Sequence, residues 1–253
     1  MRQVLSNLEA ADTHLADFAY LRQNTRRKFD SGGRLKEEHT FLARHDFLDG
    51  HGFMRQVERD GEPVPEADLA RETEVMRARI AEYEAMTEAQ RQAVDAQRRK
   101  ENEEARAWLR EFPDALDYKK VGEEMVGGRM AIVLECTPHA GYKASNMRAR
   151  VFEKVRGKVW IDKERTELVR VDAEVYETVN IGWGLLGKVY KGTRFHLERR
   201  KVDGPDNVEA WLPLSQTVRF TARVLLFKTL AQEESTRYSG FVHRNEPEAQ
   251  FAE

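Results

Sequence analysis

Apolar positions recur at two periods along this chain, one helical and one alternating, and the switches between them mark out its elements. Val4, Leu8, Ala11 and Leu15 stand at helical spacing and predict one amphipathic helix over roughly residues 1–17. From Phe18 the texture changes. FAYLRQNTRRKF, then DSGGR, then LKEEHTFLARHDF reads as two strands joined by a glycine hairpin, and Phe53 to Arg59 as a third strand that ends at Asp60-Gly61.

After Pro63 and Pro65 the chain becomes highly charged up to about Glu111 and is helical by propensity. Leu69, Met76, Ile80 and Tyr83 make one apolar stripe, and Thr87 with Gln90 has capping-box spacing, which predicts the start of a second helix. That helix offers mostly alanines until Trp108, Leu109 and Phe112, so it is expected to be anchored at its end and exposed in its middle.

From Tyr118 to about Phe241 the pattern alternates. Met130, Ile132, Leu134 and Cys136 share one parity, Val169, Val171, Ala173 and Val175 another, and Val218, Phe220, Ala222 and Val224 a third run. Gly127-Gly128, Arg156-Gly157-Lys158, Asp162-Lys163-Glu164 and Gly204-Pro205-Asp206-Asn207 punctuate the run as turns. Short connections and one polar face imply an antiparallel meander. The expectation is a single α+β domain over residues 1–253: a curved antiparallel sheet, an open half-barrel of about 9–11 strands, covered by an N-terminal helix and a helical insertion at about 65–111.

Gly182-Trp183-Gly184-Leu185-Leu186-Gly187 fits G-x-G-x-x-G letter for letter. Those glycines cradle a pyrophosphate only between a parallel strand and a helix N-terminus. Here the flanking runs both alternate as strands, so the stretch reads as an apolar connection and no nucleotide cofactor is expected.

Composition narrows the function further. Charged residues make up 34% of the 253 positions, yet 42 basic and 44 acidic residues leave a net charge of -2. That balance gives no global field for nucleic acid. The one cysteine, Cys136, excludes an intramolecular disulfide and a cysteine-based metal cluster, and its place in an alternating strand predicts burial. Neither a membrane-spanning stretch nor a signal-peptide layout is legible, so the chain is cytoplasmic, or periplasmic with a leader removed.

Ala43 to His51 holds His45, Asp46, Asp49 and His51, residue types able to ligate zinc around an activated water. Such residues are equally at home in a polar connection, and no HExxH pair supports the metal reading. Glu123 and Glu124 are adjacent in a strand, so they point to opposite faces and cannot share a substrate. No G-x-S-x-G elbow is present. We therefore expect no catalytic residue, no metal and no cofactor.

The runs GEEMVGGRMAIVLECTP, VFEKVRGKVWIDKERTELVRVDAEV and EAWLPLSQTVRFTARVLLFK, within residues 122–238, resemble the lipoprotein-sorting carriers of the bacterial periplasm, the LolA-like superfamily, and most closely its uncharacterised members. Residues 157–175, GKVWIDKERTELVRVDAEV, carry the resemblance most clearly, and QVERDGEPV at 56–64 adds to it. The resemblance implies an open half-barrel whose concave apolar face, covered by helices, holds acyl chains. It implies a periplasmic, non-catalytic carrier whose partners are lipid or lipoprotein acyl chains. A regulatory relative instead binds an anti-sigma factor, so an envelope-regulatory or protein-interaction scaffold, using the half-barrel and the charged arm, is the alternative. The aromatic residues expected to line the cavity are Phe152, Trp160, Phe195, Trp211 and Phe220, with Trp183 and Leu186 at its rim. Phe152 and Trp160 have one parity and would face one way in an unbulged strand.

Overall fold

A computed structural model describes residues 1–30, 32–180, 188–204, 209–224, 228–246 and 249, with the backbone alone at 12, 13, 221–224 and 228–230. The chain opens with helix α1 (Arg2–His14), continued by the 3₁₀ turn Leu15–Asp17. Strands β1 (Phe18–Phe29), β2 (Leu35–Leu48), β3 (His51–Arg59) and the short β4 (Glu62–Pro63) follow. The insertion comprises α2 (Glu66–Ala85), α3 (Glu88–Arg106), the 3₁₀ segment Ala107–Glu111 and α4 (Phe112–Ala115).

Strands β5 (Leu116–Val126) and β6 (Arg129–Pro138) lead to a 3₁₀ segment, Ala149–Lys154, then to β7 (Val155–Asp162) and β8 (Leu168–Val175). After the small pair β9 (Val179–Asn180) and β10 (Lys188–Val189) come β11 (Arg194–Asp203), β12 (Glu209–Val224) and β13 (Lys228–His243). Eleven strands form one open antiparallel sheet in the order β4-β3-β2-β1-β13-β12-β11-β8-β7-β6-β5, and the fold is an α+β half-barrel. Its two edges, β4 and β5, are joined in sequence by the helical insertion.

The insertion behaves as its composition dictates. Thr87 and Gln90 form the capping box, each side chain meeting the other's backbone N–H, which starts α3 where α2 stops at the extended Met86. In α2, Ile80 and Met76 pack against Leu48 and Phe53 of β2 and β3. None of the α3 residues is buried, and the helix relies on its cap and on i,i+3 or i,i+4 pairs such as Arg91–Glu88 and Lys100–Glu104. The middle of the insertion therefore stands clear of the sheet, and its final residues do the covering.

Directly paired residues share a face. Val159 faces the same side as Leu134 and Val171, and Gly157 the same side as Cys136 and Ala173. This apolar face is covered by Val4 and Leu8 of α1, Trp108, Phe112 and Phe152, with Val159 and Ala149 fully buried. Gly157 is required there. A Cβ would lie 2.1 Å from the Asp172 carbonyl oxygen and 2.7 Å from Ala173 Cα, both backbone atoms that cannot yield cheaply.

Gly157→Ala is expected to destabilise the protein by about 2 kcal/mol or more, the usual cost of overpacking. A urea midpoint unchanged from the parent would show that β7 and β8 are not in this close register.

Candidate functional site

The cover over the apolar face is built from short pieces. Trp108 stacks on Phe152 with centroids 5.4 Å apart, and Phe112 meets both Phe152 and Tyr118 at 6.1 and 5.6 Å. Trp108 lies on a five-residue 3₁₀ segment and Phe112 on the four-residue α4. Neither is long enough to be stable alone. They are positioned by the sheet beneath, where Tyr118 of β5 donates a hydrogen bond to the Phe112 carbonyl oxygen at 2.6 Å. Burial pushes the Tyr118 hydroxyl far above its ordinary pKa, so it stays a donor.

One carboxylate holds this lid from the other side. Glu111 accepts from the Tyr142 hydroxyl at 2.5 Å, from Ser145 N and Oγ at 3.1 and 2.6 Å, and from Asn146 Nδ2 at 2.9 Å. Burial acts to raise its pKa, but the Ser145 and Tyr142 hydrogen bonds outweigh it and hold the carboxyl below the usual range. Arg148 completes the clasp by donating to the Ala105 carbonyl oxygen at the end of α3. A cavity of about 620 Å³, lined in part by Ala105, Trp108, Met147 and Arg148, opens beside it.

The aromatic residues singled out in the sequence do not share one wall. Phe152 lies in the 3₁₀ segment before β7 and belongs to the covered cluster, so the shared parity with Trp160 carries no meaning. Trp160 faces the other way, packing with Ala131, Val133, Val169 and Trp211 in a second cluster. Its indole donates to Glu124 at 2.9 Å, with the Arg170 guanidinium 5.4 Å over its ring. Phe195 pairs with Ala173 and Val218, so it faces the lid side but is only half-buried. Phe220 shares that side further along β12 and is also half-buried. Trp183 and Leu186 lie outside the described residues. Sequence reasoning named Trp108 and Phe112 as anchors and missed them as the cover. The signal was the tight W-L-R-E-F run directly after a helix whose apolar residues are alanines and Val94 alone.

The histidine and aspartate stretch is dispersed by alternation. His45 stacks on Tyr20 and donates from Nδ1 to the Phe18 carbonyl oxygen, 2.8 Å away, and burial lowers its pKa. Asp46 points to the opposite face, fully buried beside Arg44 and Arg55. His51 turns toward Glu84 of α2. Among the described residues no group of three or more His, Cys, Asp or Glu side chains is arranged to hold a metal. The glutamate pair is split as well: Glu124 meets Trp160, whereas Glu123 pairs with Lys120 and Lys163.

A buried aspartate closes the β7–β8 hairpin. Asp162 is 2% exposed and accepts from Arg129 Nε at 2.7 Å and from the backbone N–H of Glu164 and Arg165 at 3.0 and 2.7 Å. Burial works to raise its pKa, and the Arg129 and backbone hydrogen bonds overcome that and lower it. Helix α1 docks on the same turn, where Asn7 donates to the carbonyl oxygens of Arg165 and Thr166.

Together these features define an open antiparallel half-barrel with one apolar face closed by a small aromatic lid. Solved structures to which the chain is similar include a putative outer membrane lipoprotein-sorting protein domain from Vibrio parahaemolyticus, at 10% identity over 97% of this chain and 95% of that one, with a TM-score of 0.32. A DUF1329 family protein from Desulfovibrio piger is 13% identical over 96% and 94%, with a TM-score of 0.30. A LolA superfamily protein from Nitrosomonas europaea is 10% identical over 99% and 97%, with a TM-score of 0.28. No protein-family model and no curated protein matches the chain.

Two outcomes follow from this geometry. Cys136 is 4% exposed, and burial pushes its thiol up to about 11, so iodoacetamide at pH 8 should label it only after unfolding. Rapid native labelling would contradict its place under the lid. Asp162→Asn should cost about 3 kcal/mol, because the amide keeps an oxygen for the two backbone donors but sets an NH2 against Arg129 and leaves that guanidinium without its counter-charge. The folded carboxyl titrates below its ordinary value of 3.8, so its contribution is present above that pH and lost as pH falls through the lower folded value. The variant should therefore show a shallower loss of stability below pH ~4 than the parent.

Proposed function

We propose that the chain is a non-enzymatic binding protein that takes a lipid or lipoprotein acyl chain on the apolar face of β5–β8 and β11, working in the periplasm. The observation that carries this reading is the lid: beside α1 and Phe152, that face is covered by two short helical pieces bearing Trp108 and Phe112, clasped through Glu111. The energies favour exchange. An acyl chain of about sixteen carbons offers about 0.8 kcal/mol per buried methylene, against about 1.5–3 kcal/mol for re-exposing each lid aromatic. The ligand's gain exceeds the cost of moving both. The sequence resemblance to lipoprotein-sorting carriers points the same way.

A second reading, an interaction scaffold, is favoured by α3. A helix of 19 residues without one buried side chain is an unusual expense inside a domain unless its surface meets something else. Deleting residues 66–106 should abolish partner capture under that reading and only alter ligand affinity under the first.

The deciding experiment uses tryptophan emission. Brominated stearic acid should quench the parent protein, and Trp108→Phe should remove most of that quenching while leaving the free energy of unfolding in urea within about 1 kcal/mol of the parent. Absence of quenching, together with no uptake of a fluorescent fatty acid, would overturn the carrier reading and leave the lid as ordinary core.

A further inference from the structure

The face opposite the lid carries a transverse row of charged residues in continuous direct pairing. From β7 to β2 it reads Arg156, Glu174, Arg194, Arg219, Glu233, Arg27, Glu38. Opposite charges face each other at every step but one. Arg27 bonds both Glu233 and Glu38, at 3.0 and 2.6 Å. The exception is Arg194 against Arg219, a direct cross-strand pair of like charge that disfavours the sheet unless something neutralises it.

The exception lies in the wall of a cavity of about 590 Å³, to which Arg156, Lys158, Arg194 and Arg219 contribute. The carboxylates of that cavity are Glu135, Asp172, Glu174 and Glu233. Asp172 is engaged by His196 at 2.6 Å and Glu233 by Arg27, while Glu174 stands 3.9 Å from Arg194 and Glu135 is paired in register with Lys158. Arg219 and Arg156 are different. Each faces a carboxylate across the strand, yet among the described residues neither forms a salt bridge with it, and each lies instead against a ring, Phe29 at 5.0 Å and Tyr176 at 5.7 Å. A guanidinium placed over an aromatic ring keeps its donors available to an anion.

We propose that this trough binds a phosphate-type oxyanion, held chiefly between Arg194 and Arg219, with Arg156 and Lys158 on the far wall. Strand spacing puts Arg156 about 14 Å from Arg219 along the row, so the anionic group sits at one end and the rest of the molecule that carries it extends toward the other. A planar fork matches two phosphate oxygens at once, and the dianion cancels the single like-charge step in the row. The site lies on the face away from the lid and does not depend on acyl binding.

The test is isothermal titration of the full chain with inorganic phosphate at low ionic strength. We expect saturable binding that weakens by about ten-fold or more in Arg219→Gln, and likewise in Arg194→Gln if the first variant is unstable. Lys36→Gln, an exposed cation outside the cavity, should bind as the parent does, and so should Trp108→Phe. Flotation with phosphatidylglycerol but not phosphatidylcholine vesicles, lost in Arg219→Gln, identifies a lipid headgroup as the source. Phosphate binding without flotation identifies a soluble phosphate compound. No saturable phosphate binding, or equal affinity in parent and both arginine variants, overturns the proposal.

Discussion

The buried carboxylate of Asp162 is the interaction on which most of the architecture depends. Alone in the interior it would be far too costly to ionise, so it must collect donors, and those donors come from two places. Arg129 reaches it from β6, and the turn after β7 supplies two backbone N–H groups. The turn is thereby forced into a shape with Thr166 at φ +59°, and it is this turn that receives Asn7 of α1. Arg129, fixed by the same carboxylate, lies 5.7 Å over the ring of Trp211 in β12. One ion pair thus sets the seat of the N-terminal helix and ties non-adjacent strands together.

From that seat the two faces of the sheet diverge in character. On the lid side, aliphatic residues of β6, β7 and β8 meet aromatic residues from short helical pieces, and cohesion is non-directional. On the other, register matters residue by residue, because each charge is judged by its neighbour across the strand. A slip of one residue would exchange the two faces entirely. Gly157 enforces the register at the point where both faces are most demanding, since any side chain there meets backbone.

Much of the fold was legible in the chain. Alternation located the long strands, the Thr87 and Gln90 spacing located the start of α3, and the poverty of apolar residues in that helix told of its exposure. Strand order was readable only in part, because meander neighbours follow from short turns whereas the pairing of β1 with β13 has no local signal. The site was harder. Parity arguments need a strand, and Phe152 lies in a 3₁₀ segment, so its relation to Trp160 could not be extracted from spacing. Bulges at Val121, Val169 and near Arg199 likewise reset the alternation midway along strands. The row of charges was present in the sequence as ordinary polar positions. Only the register reveals which of them oppose each other.

The placement of the first strand beside the last has a consequence for how the molecule comes into being. Arg26 and Glu234, neighbours in the finished sheet, are 208 residues apart in the chain. Closing so long a loop delays their pairing, and until the final strand arrives β1 and β12 each present an unsatisfied edge. During synthesis no chain that stops short of β13 can complete the sheet, so its middle stays open until that strand has been made. A truncation near the end would leave two sticky edges in the middle of the sheet, where a missing N-terminal helix would leave none.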